Sequence, residues 1–263
     1  MKTVIIKLLI LTFSFFGAWF ILSKIDWVTI FHVKQLTKST EEKVGDFIWE
    51  TQVATEKEIK SKRIINKIDS ILNRLCDANK IDRDLIKLHL IQSDETNAFA
   101  LPNRHLVVYT QLIIDCENPE ELSGVLAHEI AHMELNHVMK KVTSEIGLSQ
   151  LLAATNGKDL KVAKELAKTL SSAAFSRGLE QEADLKGCDY LVKANINPNY
   201  LGSFLSRLTK SSAEGHLSWI SSHPESAERA AYITEHAKNV KVQEKPLLSE
   251  AGWEKLKEDI QEE

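Results

Sequence analysis

The sequence predicts an α+β fold in which helices predominate. Over several stretches, apolar residues recur with the three-to-four-residue spacing of amphipathic helices. Two short runs, Leu85–Ile91 and His105–Tyr109, have the composition of strands. The chain contains only 10 Gly and 5 Pro, which suits long helices joined by few tight turns. Helices, then a small sheet, then further helices is the element order of an α+β domain.

The composition is that of an ordinary globular protein. The 263 residues are 43% hydrophobic and 27% charged, which excludes a disordered chain, a collagen-like chain and a membrane protein with many spans. The 33 basic and 37 acidic residues give a net charge of −4 without any basic block, so we expect no nucleic-acid partner. The 3 Cys allow one disulfide at most.

The amino terminus carries an apolar segment, Val4–Leu22, whose one charge is Lys7. Its length is close to the roughly 20 residues that a membrane-spanning helix needs. We predict that residues 1–23 are an uncleaved anchor, because no small-x-small cleavage site follows the apolar run. The positive charges on Lys2 and Lys7 predict a cytoplasmic amino terminus and an extracytoplasmic, periplasmic-side domain. The alternative is secretion to the periplasm after cleavage of a signal sequence.

Helix patterns follow in order along the rest of the chain. Apolar positions from Ile64 to Leu75 predict an amphipathic helix. Asn118 and the Pro after it form a capped helix start, and this helix is predicted to continue through Val138. Lys158–Ala194 has a helical pattern, and prolines open two further short helices. We divide the chain into an anchor (1–23), a folded domain (24–243) and a charged surface helix or tail (244–263).

The chemistry is concentrated in one helical motif, H-E-x-x-H, formed by His128, Glu129 and His132. Positions four apart share a helix face, so the two imidazoles can bind a single Zn²⁺. Glu129 projects beside them, within reach of a water on the metal. The helix is otherwise apolar, and polar side chains without partners would be costly there. We therefore predict one zinc ion per chain.

A catalytic zinc needs a third protein ligand. His137 follows the motif, but its spacing points it off the metal face, so we interpret it as a surface residue or as a partner of a ligand. Downstream, Glu180 and Asp184 share one helix face, and Gly187 lets that helix approach closely. Glu180 can then be the third ligand, and Asp184 can accept the free ring N–H of a ligating His.

The combination of H-E-I-A-H with a later E-x-E-A-D-x-x-G resembles metallopeptidase family forty-eight, the gluzincin family of the CAAX prenyl endopeptidase and HtpX. Asn97–Pro102 resembles that family's N-A-F-A-x-P segment, and His223 with Arg229 resembles its H-P-x-x-x-x-R segment. The resemblance implies a zincin-like metalloprotease domain with an exposed sheet edge, and the single anchor is similar to periplasmic members. Where the family usually has Gly-Gly after the Pro, this chain has Asn103 and Arg104.

The implied reaction is hydrolysis of peptide bonds. Glu129 would take the proton of the attacking water and deliver it to the leaving amine. His223 and Arg229 are candidate donors to the oxyanion, and His223 can instead fill the fourth zinc position and hold the enzyme off. We expect the substrate to bind extended beside His105–Tyr109. The residues of this binding edge are Asn97, Ala98, Phe99 and Ala100.

We therefore predict a zinc-dependent metalloendopeptidase that cleaves unfolded or misassembled proteins in membrane-associated quality control. One alternative is a catalytically inactive zinc-fold chaperone or adaptor anchored to the membrane, and another is a metal-stabilised structural anchor protein. Three further features receive structural interpretations. Cys188 is a buried packing residue, Ile146–Ala154 is a core helix rather than a lid, and Trp219 is at most part of a pocket wall.

Overall fold

A computed structural model of the chain describes residues 7, 12–17, 19, 38–51, 56–147, 174–211, 218–224, 226–238 and 240–263. The chain divides into two compact units, Met1–Ser39 and Thr40–Glu263. The described residues of the predicted anchor are helical. Within the described ranges, no helix combines the length and apolar character needed to cross a membrane.

The helices and strands are numbered in chain order. The first helices are α1 (Lys38–Thr51) and α2 (Lys62–Asn79), and three strands follow, β1 (Lys87–Ile91), β2 (Ala98–Leu101) and β3 (His105–Tyr109). The later helices are α3 (Thr110–Asp115), α4 (Pro119–Glu134), α5 (His137–Ile146), α6 (Arg177–Lys193), α7 (Asn199–Ser211), α8 (Ser218–Ser222), α9 (Ser226–Ala237) and α10 (Glu250–Gln261).

The three strands form one mixed sheet in the order β1-β3-β2. β1 runs parallel to β3, with Lys87 opposite His105, and β2 runs antiparallel to β3, with Ala98 opposite Val108. β3 is therefore the central strand. The sequence predicts β1 and β3 but not β2, because all four residues of β2 are buried and give no alternating pattern.

The turn between β2 and β3 forms without the glycines that the family resemblance implies. Asn103 and Arg104 both adopt left-handed conformations, with φ of 61° and 58°. Asn accepts such a conformation readily, whereas for Arg it is unusual. The Nη1 atom of Arg104 lies 2.6 Å from Oε1 of Glu134, and this ion pair helps to hold the turn against α4.

The core lies between the sheet and the helices that follow it. α2 buries one stripe of apolar side chains, as its periodicity predicts, and α4 packs against β2, α6 and α7. The buried apolar residues of α2 are Ile64, Ile68, Ile71, Leu72 and Leu75. Because α4 is enclosed by other elements, whatever its side chains bind must lie inside the protein.

The charged tail contributes a packed helix. α10 buries Trp253, Leu256 and Ile260, and it contacts α2. On the same helix, Asp259 is buried with its Oδ2 atom 3.1 Å from Nε of Arg63. The prediction of a surface helix is thus right for only one of its faces.

The predicted fold class, a predominantly helical α+β domain with a small sheet, is confirmed. α7 and α9 begin just after Pro198 and Pro224, as predicted. Residues 148–154, and 158–173 of the predicted long helix, lie outside the described residues. The boundaries after residues 23 and 243 stay predictions. Cys188 is buried, and burial raises the pKa of its thiol to about 12, which agrees with a packing role.

Candidate metal centre

α4 carries the H-E-x-x-H residues in its buried part. The side chain of Asn118 accepts a hydrogen bond from the amide of Glu121 at 2.9 Å and caps the helix, and Pro119 stands in the first turn. Every residue from Leu122 to Met133 is buried. The polar side chains in this stretch must therefore find partners within the protein.

Two imidazoles and a carboxylate meet between α4 and α6. The Nε2 atoms of His128 and His132 are 3.0 Å apart. Glu180, in the first turn of α6, places Oε1 3.4 Å from Nε2 of His132 and Oε2 3.7 Å from Nε2 of His128. The helices approach closely at Gly187, where a Cβ atom would lie 3.3 Å from the backbone of His128.

A third imidazole comes from the segment between α8 and α9. The Nδ1 atom of His223 lies 2.9 Å from Oε1 of Glu180 and 3.2 Å from Nε2 of His128. Its ring stands between two aromatic rings that are nearly parallel to it, with centroid distances of 4.6 Å to Trp219 and 5.6 Å to Phe175. These rings hold the imidazole of His223 towards the other ligand atoms.

His128, His132, Glu180 and His223, here called the central cluster, fit a divalent metal ion. Each offers one ligand atom, and the four atoms all lie within 4.8 Å of one another. A tetrahedral zinc with ligands at about 2.0–2.1 Å places those ligands about 3.3 Å apart. With Oε1 as the ligand atom of Glu180, the separations given above are 2.9 to 3.4 Å, close to that value. Imidazole nitrogens with a carboxylate oxygen are also the donor set that zinc and its neighbours prefer.

Asp184 lies behind His128, with Oδ1 2.9 Å from Nδ1 of the ring. Burial by itself raises the pKa of Asp184, but the charges of His128 and Arg229 outweigh it and hold that pKa well below its usual range. Burial likewise lowers the pKa of His128, and the Asp184 carboxylate more than reverses this. A carboxylate at Nδ1 orients the ring so that Nε2 faces the central cluster.

The position of Arg229 corrects its predicted role as an oxyanion donor. Nε and Nη2 donate to Oδ2 and Oδ1 of Asp184, both at 2.7 Å, and Nη1 lies 2.6 Å from Oε2 of Glu180. All three nitrogens face protein carboxylates, so the guanidinium positions Glu180 and Asp184. The Arg229 side chain is buried. Tyr232 adds a further hydrogen bond by donating its hydroxyl to Asp184.

Glu129 is buried at one side of the central cluster, and two donors hold its carboxylate. Oε2 accepts the backbone N–H of Ala100 at 3.2 Å, and Oε1 accepts the indole N–H of Trp219 at 3.3 Å. Oε1 also lies 3.4 Å from Nε2 of His223. Trp219, for which the sequence predicts at most a place in a pocket wall, therefore orients Glu129.

Of the residues predicted for the binding edge, Ala98, Phe99 and Ala100 lie in β2 and Asn97 precedes it. The predicted position of a substrate strand beside β3 is wrong, because β3 is paired on both sides. The amide of Tyr109 donates to the carbonyl of Asn97 at 3.0 Å. In this antiparallel register the backbone N–H and C=O groups of Asn97, Phe99 and Leu101 therefore point towards β3. Ala98 and Ala100 alternate with them and turn their backbone groups away from β3. This outer side of β2 is where Ala100 contacts Glu129.

His137 is buried, so the surface alternative is wrong, and its Nδ1 atom lies 3.1 Å from Nδ1 of His132, as the alternative of a partner residue predicts. On a continuous helix a residue five positions on would be rotated by about 140°. α4 instead ends at Glu134, and Asn136 adopts a left-handed conformation with φ of 56°. That reversal returns His137 to His132, and helical periodicity could not reveal it.

Two further residues near the central cluster have no sequence signal of their own. The ring of Phe175 lies 4.1 Å from that of His132, centroid to centroid. Nζ of Lys141 stands 4.1 Å from the centroid of Phe175. Burial lowers the pKa of Lys141 to about 8, against the opposing effect of the Glu129 and Glu180 carboxylates. The site thus includes a buried amine beside its carboxylates.

Several known proteins are similar to this chain. The Beta-barrel assembly-enhancing protease of Yersinia pestis is 28% identical over 191 residues, which cover 67% of this chain and 39% of that protein. Metalloprotease LoiP of Escherichia coli (strain K12) is 29% identical over 174 residues, 64% of this chain and 68% of that protein. Mitochondrial metalloendopeptidase OMA1 of Schizosaccharomyces pombe is 29% identical over 178 residues, 64% of this chain and 51% of that protein.

By name all three relatives are proteases, and LoiP and OMA1 are metalloproteases, in agreement with the predicted enzyme class. The chain spans only 39% of the first relative and 51% of the third. The family model described as Peptidase family M48 matches residues 64–237. That range includes the sheet, α4, α6 and the whole central cluster, and the family implies a divalent metal. The match extends over more than half of the sequence, and the chain therefore belongs to peptidase family M48.

Proposed function

We propose that the chain is a zinc-dependent metalloendopeptidase that hydrolyses peptide bonds in unfolded or misassembled proteins. The observation that carries the proposal is the convergence of four ligand atoms beside the buried carboxylate of Glu129. His128, His132 and Glu180 would hold the zinc ion. When bound, zinc supplies Lewis acidity towards a peptide carbonyl and makes water a nucleophile near neutral pH.

Glu129 is the general base of this proposal. Its two oxygens are fixed by the Ala100 amide and the Trp219 indole, so the carboxylate faces the central cluster in one orientation. From there it can take a proton from water and return it to the leaving amine. A positioned acid–base group of this kind contributes about 10²–10⁴-fold to a rate.

His223 is proposed as a gate on the same site. Its Nδ1 atom occupies the fourth corner of the central cluster, where water would have to enter. The ring must therefore withdraw before turnover, and it could then act as a donor to the oxyanion. A His223→Ala variant with raised basal proteolysis would favour the gate, and one with lowered proteolysis would favour the donor role.

The substrate is proposed to bind as an extended strand along the outer side of β2. Ala98 and Ala100 turn their backbone groups to that side, and Glu129 lies directly beside it. Strand addition relies on main-chain hydrogen bonds and needs little sequence preference. It also needs an extended, accessible substrate, which unfolded or misassembled proteins provide.

We further propose that residues 1–23 anchor the protein in a membrane with the metallopeptidase domain on the extracytoplasmic, periplasmic side. The support is the apolar run of the sequence, in which Phe13, Phe15, Phe16 and Trp19 are exposed. Sedimentation with membranes after carbonate washing, together with a reporter fused after Glu263, tests the anchor and its orientation. Secretion after signal cleavage predicts release from the membrane and a shortened amino terminus.

The test of the enzyme proposal is casein cleavage by Glu129→Gln. We expect about a 100-fold loss of activity or more, with zinc content and folding unchanged. Glu134→Gln is the matched control, because Glu134 lies on the same helix and pairs with Arg104 instead. Equal activity of wild type and Glu129→Gln would overturn the proposal and leave the inactive chaperone or adaptor as the alternative.

A further inference from the structure

We propose that His137 and Glu182 form a positioning chain that fixes the tautomer of His132 and so prepares it to bind metal. This chain of side chains runs from His132 on α4 through His137, the first residue of α5, to Glu182 on α6. Nδ1 of His137 lies 3.1 Å from Nδ1 of His132, and Nε2 of His137 lies 3.3 Å from Oε2 of Glu182. The inference rests on the proposed metal site and adds two residues that support it.

The count of ring protons allows one consistent arrangement. Nε2 of His132 faces His128 and Glu180, so it must be bare to bind a metal, and the ring proton is then on Nδ1. That N–H donates to Nδ1 of His137, which must be bare in turn. The proton of His137 is therefore on Nε2, where it donates to the Glu182 carboxylate, an acceptor only. Each imidazole uses its single N–H, and none is left over.

The two ligand histidines are thus oriented in different ways. His128 meets the buried carboxylate of Asp184 directly, whereas His132 reaches a carboxylate through a second imidazole. The Glu182 side chain is 53% exposed, so water weakens its effect on the chain. All three acids of the E-Q-E-A-D segment then serve one site. Glu180 is a ligand, Asp184 orients His128, and Glu182 orients His132 through His137.

The test measures Zn²⁺ affinity of the full chain by chelator competition, a readout that does not depend on activity. His137→Ala should weaken Zn²⁺ binding about 10- to 100-fold, the range seen when partners of ligating histidines are removed. His137→Gln, whose carbonyl can accept from His132, should recover part of this loss. Glu182→Gln should have a smaller effect than His137→Ala, because Glu182 is half exposed.

Glu182→Lys is the most discriminating variant, because a hydrogen-bond donor then replaces the acceptor that faces Nε2 of His137. The proton of His137 then moves to Nδ1, and that of His132 moves to Nε2, where it blocks the metal. In the zinc-free chain, ¹⁵N spectra of the two rings should show this exchange of tautomers, and Zn²⁺ should bind more weakly than in Glu182→Gln. Asp189→Lys, an exposed position on α6 with the same change of charge, is the control.

Unchanged Zn²⁺ affinity in His137→Ala, or unchanged ring tautomers in Glu182→Lys, would overturn the inference. Glu182 lies on the surface, so its variants remain informative even if His137→Ala fails to fold. Failure of the wild-type chain to bind Zn²⁺ would instead overturn the proposed function. The two failures are therefore distinguishable.

Discussion

Two histidine clusters in the described part of the chain are built from the same residue types, and they differ in how their polar atoms are arranged. In the central cluster four ligand atoms converge on one point. The second group, here called the peripheral cluster, consists of Asp46, Glu58, His89 and His105, and joins α1 and the segment before α2 to the sheet. In it the two imidazoles follow one another along a line that has a carboxylate at each end.

The line runs from Glu58 to Asp46 through two imidazoles. Nδ1 of His89 lies 2.8 Å from Oε1 of Glu58, and Nε2 of His89 lies 2.9 Å from Nδ1 of His105. Nε2 of His105 is 2.9 Å from Oδ1 of Asp46, and Nζ of Lys87 is 2.7 Å from the same oxygen. Lys87 thus brings the positive charge that the central cluster would take from a metal.

The difference teaches that side-chain types do not decide whether histidines and carboxylates bind a metal. In the central cluster two imidazoles from one helix turn face a carboxylate from another helix, and their Nε2 atoms point to a shared space. In the peripheral cluster neighbouring strands place two rings almost in one plane, 14° apart, so their nitrogens point along the line. Convergence favours metal binding, whereas a line favours a chain of hydrogen bonds.

Removing one carboxylate from each cluster is the strongest way to break this comparison. Glu180→Ala should weaken Zn²⁺ binding roughly 100-fold or more, since a lost ligand costs more than the 10- to 100-fold of a lost partner. Asp46→Ala should leave Zn²⁺ binding unchanged, because its carboxylate pairs with Lys87. The zinc content of the two variants after dialysis against a chelator measures both effects. Full retention of zinc by Glu180→Ala would require another third ligand.

Removing the cation that pairs with the carboxylates of each cluster should affect the free energy of unfolding to different extents. Arg229→Ala leaves the buried carboxylates of Asp184 and Glu180 without their partner and should cost about 3–5 kcal/mol in the free energy of unfolding. Lys87→Ala should cost less than about 1 kcal/mol, because the Lys87 and Asp46 side chains are 40% and 47% exposed. Urea denaturation of the zinc-loaded chain compares them. Equal losses would show that the two ion pairs are equally buried in solution.

The third difference is a pH dependence of stability from the peripheral cluster. Burial lowers the pKa of His105 from 6.5 to about 4, against the raising effect of Asp46. Between these values the unfolded chain binds a proton that the folded chain does not, so stability falls as the pH is lowered from 6.5 to 4. The contribution is at most about 1.4 kcal/mol per pH unit, which is the value for a difference of one full proton between the folded and unfolded chain.

His105→Asn should therefore have a shallower loss of stability with acid than the wild type, as measured by urea denaturation at several pH values. His236→Asn is the control, because His236 is exposed on α9. Identical pH dependence in His105→Asn and wild type would contradict the assignment.

Helical spacing predicts a large part of the fold and of the central cluster. The positions of His128 and His132, and those of Glu180 and Asp184, follow from residues four apart on a helix. The spacing fails for His137, because α4 ends before it, and for β2, which has no alternating pattern. Helical spacing also cannot predict which groups the Arg229 side chain contacts, because its partners lie on another helix.

The sequence by itself determined which side chains share a helix face, because that depends on the 3.6-residue period of a local structure. The sequence also determined the family, because the family's motifs occur in the same order along the chain. Only the tertiary structure decided that His223 joins the central cluster, that Trp219 and Ala100 hold Glu129, and that β2 rather than β3 is the edge of the sheet. These contacts depend on how helices and strands distant in the chain pack against one another, and local periodicity carries no information about that packing.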